Sequence, residues 1–189
     1  MKKFILPLVF SIVLAACKKQ TPNIESDAKE DSVSVLQKDS LSHKPSEFTS
    51  IKEVTPAQAS EFLKSENKDT LYVTNFFATW CGPCVREIPH FKENMETLKN
   101  QPVKFTFVSL DSKEVWTTDV PEFVDEHGIR SNTILLDGTL LNNDFFTSNF
   151  KTWKGETIPF TLIRKGDKTE EINGSISKEE LDAKLNSFN

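Results

Sequence analysis

Cys81 and Cys84, separated only by Gly82 and Pro83, follow closely on the apolar run Leu71-Tyr72-Val73-Thr74-Asn75-Phe76-Phe77, and this pairing constrains the chain more than any other feature. A run so rich in aromatic and β-branched residues reads as a central strand buried on both faces. Pro83 suits the first turn of a helix, where a missing N–H costs nothing. Two thiols three positions apart can close on each other with little loop strain, so a Cys-x-x-Cys opening a helix after a strand reads as a redox pair. The same spacing also serves as half of a zinc site, which would need two of His43, His90 and His127, or as a buried structural disulfide. No second cysteine pair is present, and His127 before Gly128 is accounted for as a helix-end residue whose charge suits the dipole.

At 189 residues the chain holds one well-filled domain plus a tail. A formal charge of -5, with no basic stripe, argues against a nucleic-acid surface. The third cysteine, Cys17, lies after Lys2-Lys3, the apolar run from Phe4 to Leu14, and Ala15-Ala16. A positive start, a short apolar segment and small residues make a secretory signal over residues 1–16, too short to span a bilayer comfortably. Leu14-Ala15-Ala16-Cys17 further resembles the bacterial lipobox, which implies lipidation of Cys17. Cys81 and Cys84 are then the free pair, in a compartment where disulfides persist. From residue 17 to residue 50 the composition shifts to Lys, Glu, Asp, Ser and Gln with no apolar period, so the segment reads as a flexible tether, with His43 solvated. A coil of about 33 residues reaches roughly 30 Å.

The folded domain is expected over 51–189. Ile51 to Val54 is a short alternating stretch, and Thr55-Pro56-Ala57-Gln58 is a capping-box signature opening a helix to about Glu66. After the strand ending at Phe77, a helix from Pro83 to about Lys99 is expected to bury Val85, Ile88, Phe91, Met95 and Leu98, with a kink at Pro89. Val103 to Leu110 reads as a strand and Asp119 to His127 as a helix, with Asp119 as candidate cap and Gly128 as its stop. Ile134-Leu135-Leu136 is a short strand, Asp137-Gly138 a turn, and Thr139 to Phe150 a helix. Ile158 to Ile163, a turn at Lys165-Gly166-Asp167 and a polar strand to Ile172 form a hairpin. Ser177-Lys178-Glu179-Glu180 is a second capping box, opening a helix that buries Leu181, Leu185 and Phe188. This order argues an α/β fold with a mixed central β-sheet flanked by helices on both faces.

The segment Asn75-Phe76-Phe77-Ala78-Thr79-Trp80-Cys81-Gly82-Pro83-Cys84-Val85-Arg86-Glu87-Ile88-Pro89 resembles the active-site segment of thioredoxin-like thiol-disulfide oxidoreductases. It is most similar to the membrane-anchored TlpA/ResA-like branch, in the Asn before the aromatic pair and the Glu-x-Pro after the second cysteine. The likeness in element order covers about residues 51 to 188 and implies a thioredoxin-like fold. It also implies a cis proline at Pro159, with the backbone of Ile158 turned outward to pair with an extended substrate. A helix N-terminus favours a thiolate, so Cys81, expected at the exposed end, is the attacking sulfur, and the more buried Cys84 resolves the mixed disulfide. Trp80 offers a flat apolar surface beside it, while Gly82 and Pro83 allow close approach. Thioredoxin itself has a buried aspartate where this chain has Asn75 and a lysine near Ser109; neither replacement can titrate in that role. Glu87 is the candidate proton acceptor, although a glutamate on a helix is more often solvated or salt-bridged. Trp116 and Trp153 read as core residues before groove residues.

The expected activity is extracytoplasmic, membrane-anchored reduction of disulfides in exported proteins; the resemblance implies, as substrates, apocytochrome c before haem attachment, in cytochrome c maturation, or other oxidised exported proteins. The chain would be a monomer that takes no metal or cofactor beyond the Cys81–Cys84 disulfide, recharged by a membrane electron donor of dithiol type. The same site run in the other direction gives an oxidase or isomerase, and a redox-inactive tethered binding module is the alternative from another class. A peroxidase lacks its pattern, since Ala78 stands where the peroxidatic threonine would be.

Overall fold

The computed structural model describes residues 50–64 and 67–188. The leader, Cys17, the tether and His43 lie outside the described residues, as do Ser65 and Glu66 at the expected end of the first helix.

Six strands form one mixed sheet: β1 (Lys52–Glu53), β2 (Leu71–Phe77), β3 (Val103–Ser109), β4 (Thr133–Leu135), β5 (Phe160–Lys165) and β6 (Lys168–Asn173). Their spatial order is β1-β4-β3-β2-β5-β6. The pairs among β1 to β4 are parallel, whereas β5 runs antiparallel to both β2 and β6. The connection that follows β2 therefore has to cross over the sheet, and a helix does so. The turn Gly166–Asp167, with Gly166 at φ 55°, closes a two-residue hairpin.

Five helices cover the sheet: α1 (Pro56–Leu63), α2 (Gly82–Thr97), α3 (Asp119–Glu126), α4 (Asn143–Asn149) and α5 (Lys178–Asn186). Alternation along β2 assigns its side chains to two cores, as a strand's period of two requires. Val73 and Phe77 join Ile88, Phe91, Val120 and Leu181 of α2, α3 and α5. Phe76 faces the other way, with Leu63, Phe145, Phe150, Trp153 and Phe160. The second core is largely aromatic, with Trp153 stacked on Phe160 at 4.2 Å between centroids and 9° between planes. Trp153 and Trp116 are both buried, each donating its indole N–H to a backbone oxygen, of Thr157 and Asp111 respectively.

Both capping boxes form: Thr55 with Gln58, and Ser177 with Glu180. Elsewhere the boundaries shift. The α1 helix stops at Leu63. Asp119 is not the cap of α3 but its first residue, after Thr118. Thr139 to Phe150 is not one helix, because Asn142 stands extended and caps α4 by accepting from the Phe145 N–H, while a single 3₁₀ turn occupies Gly138–Leu140. The α2 helix runs through Pro89, and Val85 and Met95 are only half-buried, while Glu87 and Asn94 lie in the interior. The buried stripe is 84, 87/88, 91, 94 and 98, in phase with Cys84 rather than Val85.

Candidate active site

The cysteine pair sits at the junction that the β2–α2 crossover creates. Cys81 is the N-cap of α2, and its Sγ accepts the N–H of Cys84 at 3.2 Å. The two sulfurs are bonded, with S–S 2.02 Å. Capping by sulfur at this position satisfies one of the donors that a helix start leaves free, and the same N–H and helix dipole would stabilise a thiolate once the bond is reduced. Cys81 is not at an exposed end, being only 4% exposed against 0% for Cys84. Part of the cover is the segment before β5, since the Ile158 carbonyl oxygen lies 3.7 Å from Cys81 Sγ. The Ile158–Pro159 peptide is cis, and Pro159 is buried. Trp80 is 75% exposed, and Gly82 and Pro83 are exposed beside it, so access to the disulfide is framed by these three residues.

Next to Trp80 lies an open cavity of about 450 Å³ whose walls include Trp80, Asp111, Val115, Asp119, Glu122 and Phe123. Asp111 is 1% exposed and holds the turn in place: it accepts from the Thr79 N–H at 3.1 Å, the Thr79 hydroxyl at 2.7 Å and the Ser109 hydroxyl at 2.8 Å. Sequence reasoning passed over Asp111, and its signal is its place two residues past the end of a central strand. Ser109 is thereby committed to Asp111 rather than to the cysteines.

Glu87 is neither solvated nor salt-bridged: it is 1% exposed. It lies one turn beyond Cys84 on the same face of α2, wedged against the sheet. Its Oε1 accepts from Asn75 Nδ2 at 2.7 Å and its Oε2 from the Ile176 N–H at 3.0 Å. Burial pushes its carboxyl up to about 7, against the Ile176 and Asn75 hydrogen bonds, which pull it down. Asn75, on β2, also donates to Thr161 Oγ1 at 3.0 Å, directly across the β2–β5 pair. Thr161 and Ile176 were not among the residues singled out from the sequence, because what joins them to Asn75 and Glu87 is strand register and a loop, not spacing.

On the far side of Pro159 the loop before β5 is tied down by Glu171 of β6. Its carboxylate accepts from the Lys151 and Thr152 N–H groups and from the Thr152 hydroxyl. Burial pushes the Glu171 carboxyl up, but these bonds and the Trp153 N–H outweigh it and hold the pKa below the usual glutamate value.

His90 meets the Ile176 carbonyl oxygen at 3.1 Å, and His127 ends α3 against the ring of Phe123 at 4.3 Å. Neither approaches the cysteines through any hydrogen bond. Among the described residues no group of three or more His, Cys, Asp or Glu could hold a metal ion, and no helix is long and apolar enough to cross a membrane.

The AhpC/TSA family matches residues 48–167. The thiol-disulfide oxidoreductase ResA of Bacillus anthracis is 25% identical over 132 residues, 70% of this chain and 71% of that one. A thioredoxin of Listeria monocytogenes is 28% identical over 139 residues, 73% of this chain and 98% of its own. Among solved structures, a thiol:disulfide interchange protein of the thioredoxin family from Chlorobium tepidum TLS superposes with a TM-score of 0.51 at 23% identity, covering 68% of this chain and 83% of that one.

Proposed function

The chain belongs to the AhpC/TSA family of thioredoxin-like proteins, and on that premise we propose that it is a thiol-disulfide oxidoreductase that reduces disulfides of exported proteins through Cys81 and Cys84. The observation that carries this reading is the bonded pair at the start of α2, with the cis Ile158–Pro159 segment laid against Cys81. The curated relatives named ResA and thioredoxin support it.

In the dithiol form Cys81 is the thiolate, held by the Cys84 N–H and the helix start. It attacks one sulfur of a substrate disulfide, forming a mixed disulfide and releasing the other substrate sulfur as a thiolate, which takes up a proton. Cys84 gives up its proton, attacks Cys81 Sγ and frees the second substrate sulfur, so the substrate leaves as a dithiol and the Cys81–Cys84 disulfide is restored. Trp80, Gly82 and Pro83 form the contact surface around the sulfurs, while the cis Pro159 sets the backbone of Ile158 to pair with the substrate backbone. Glu87 is the acceptor for the Cys84 proton, by way of its position one turn along α2 and a carboxyl poised near neutrality. The disulfide itself is the redox centre, and a dithiol donor at the membrane returns the pair to the reduced form.

The signal at residues 1–16 and Cys17 support export and lipid anchoring by a 17–50 tether. The disulfide formed by the haem-attachment thiols of apocytochrome c fits the TlpA/ResA-like resemblance as a substrate. The decisive experiment is a redox titration joined to capture by Cys84→Ser. A reducing potential near that of thioredoxin, about -270 mV, and mixed disulfides with exported proteins are expected. A potential near that of strong oxidants, about -120 mV, would overturn the direction. Retention of insulin reduction by Cys81→Ser would overturn the assignment of the attacking sulfur.

A further inference from the structure

The amide of Asn75 makes an uneven set of contacts. It is 1% exposed; its Nδ2 donates both protons, to Glu87 Oε1 at 2.7 Å and Thr161 Oγ1 at 3.0 Å, while its buried Oδ1 meets no hydrogen-bond partner among the described residues. A native interior rarely leaves an acceptor in this state without a reason.

The donors and acceptors supply one. With Asn75 oriented as described, Glu87 receives a donor at each oxygen, from Asn75 and from Ile176, which is the arrangement of a carboxylate. A protonated Glu87 must instead donate. The Ile176 N–H cannot accept, so the proton has to sit on Oε1 and face Asn75. Half a turn of the Asn75 amide puts Oδ1 where Nδ2 stood. Oδ1 then accepts from the Glu87 carboxyl and from the Thr161 hydroxyl, while Ile176 still donates to Oε2. Three hydrogen bonds are made in each arrangement, and in each one end of the amide goes without a partner. The two ends of an amide are nearly equal in size, so no other heavy atom has to move.

We propose that Asn75 is a positioning residue whose amide turns over as Glu87 gains or loses its proton, letting the carboxyl change charge in the interior without losing a hydrogen bond. The proposal rests on the reading of Glu87 as the acceptor of the Cys84 proton, and it gives a reason for an asparagine at this place in β2. An aspartate would set a second charge 2.7 Å from the first, and a leucine would serve neither state.

The titratable and charged groups on the surrounding elements have other partners or lie on another face. On α2, Cys84 is in the disulfide and His90 meets the Ile176 carbonyl, while Arg86 is exposed. On α5, Lys178 pairs with Asp182. On β5, Lys165 donates to the Phe188 carbonyl, and Arg164 alternates with Thr161 and Ile163 onto the opposite face. Among the described residues only Asn75 and Ile176 hydrogen-bond Glu87.

The test is an NMR titration of the full chain, oxidised, with ¹³C-labelled glutamate and ¹⁵N-labelled asparagine, the Glu87 signal being identified by its loss in Glu87→Gln. The Asn75 side-chain amide should shift with the same midpoint as the Glu87 carboxyl. In Asn75→Leu both forms of Glu87 lose a partner, and because the bond to the ionised form is charge-assisted and the stronger of the two, the Glu87 midpoint should rise, but by less than about tenfold in proton affinity. An Asn75 amide that stays still across the Glu87 titration overturns the proposal. A rise of about tenfold or more in a folded Asn75→Leu, the size expected if the amide served only the ionised form, also overturns it. Single-turnover release of substrate from the mixed disulfide separates the two readings. If the Glu87 midpoint moves and the pH profile of release does not, the amide's role stands and the proton-acceptor reading of Glu87 falls.

Discussion

Glu87→Gln isolates the cost of holding an ionised carboxyl in this interior. The Glu87 carboxyl goes from 4.5 in the open chain to about 7 in the fold, chiefly through burial. A folded-state value above the unfolded one means that the proton favours the fold. The contribution is whole below pH 4.5 and is lost as pH rises through about 7. At about 1.4 kcal/mol per pH unit, the interval from 4.5 to about 7 corresponds to about 3 kcal/mol of stability lost by the wild type in alkaline solution. The loss reaches about 2 kcal/mol by pH 6 on the same relation. Glutamine keeps the shape and cannot ionise. With the Asn75 amide turned, its Oε1 can accept from Ile176 and its Nε2 donate to Asn75 Oδ1. Urea unfolding of the oxidised chain at a series of pH values reads the difference between variant and wild type. That difference should start near zero at pH 4 and grow in the variant's favour to about 3 kcal/mol above pH 8. A difference that is flat across this range, or that shrinks as pH rises, would refute the claim that burial governs this group.

Three further substitutions probe separate parts of the site. Trp153→Ala empties the aromatic core beneath the segment that leads to Pro159, and should cost about 3–5 kcal/mol in urea unfolding. Trp80→Ala should change stability by less than about 0.5 kcal/mol, because the side chain is exposed, yet raise KM for a protein disulfide in a steady-state reduction assay. Glu171→Gln should cost about 1 kcal/mol after allowance for part exposure, since two backbone N–H groups lose a charged acceptor. The Glu171 carboxyl lies below its usual value in the fold, so the stability it brings is present above pH 4.5 and is lost on acidification through its folded value. The wild-type advantage over Glu171→Gln should therefore fade in acid.

What was legible in the sequence was whatever depends on near neighbours. The strand from Leu71 to Phe77 lies where its composition put it, and both capping boxes close because four consecutive residues hold all the groups they need. Asn142 escaped notice because the apolar residues around it suggested a continuous helix, whereas its side chain is worth more at a helix start than within one. Glu87 was singled out, but its burial escaped notice for a related reason. Helical spacing was counted from apolar side chains, which rightly placed Ile88, Phe91 and Leu98 on the buried face but added Val85 and Met95, which are only half-buried. Counting from Cys84 in steps of three and four reaches Glu87, Phe91, Asn94 and Leu98, the face that is buried. The cysteine motif thus held the phase of the helix as well as its chemistry. No spacing could have disclosed Thr161 or the Ile176 N–H, since they reach Glu87 and Asn75 through the β2–β5 register and the loop before α5.

Placing the acid on α2 rather than on β2 changes what can disturb it. Cys84 and Glu87 belong to one continuous helix, so their separation, about 4.5 Å of rise over three residues, is set by helix geometry and survives small shifts of the sheet. The proton affinity of Glu87 has no such protection, because its two donors come from elsewhere: Asn75 from β2, and the Ile176 N–H from the segment between β6 and α5. That segment is anchored by His90 on the Ile176 carbonyl and by α5 packed along α2, with Asn94 donating to Asp182 at 2.7 Å. A change that loosens α5, such as Asp182→Ala, should therefore draw the Ile176 donor away and raise the Glu87 midpoint while leaving the Cys84 N–H on Cys81 in place. Titrating Glu87 and measuring disulfide reduction on the same variant would separate the two. If both changed together at every pH, the helix and the acid would not be independent, and the division of labour argued from this geometry would be wrong.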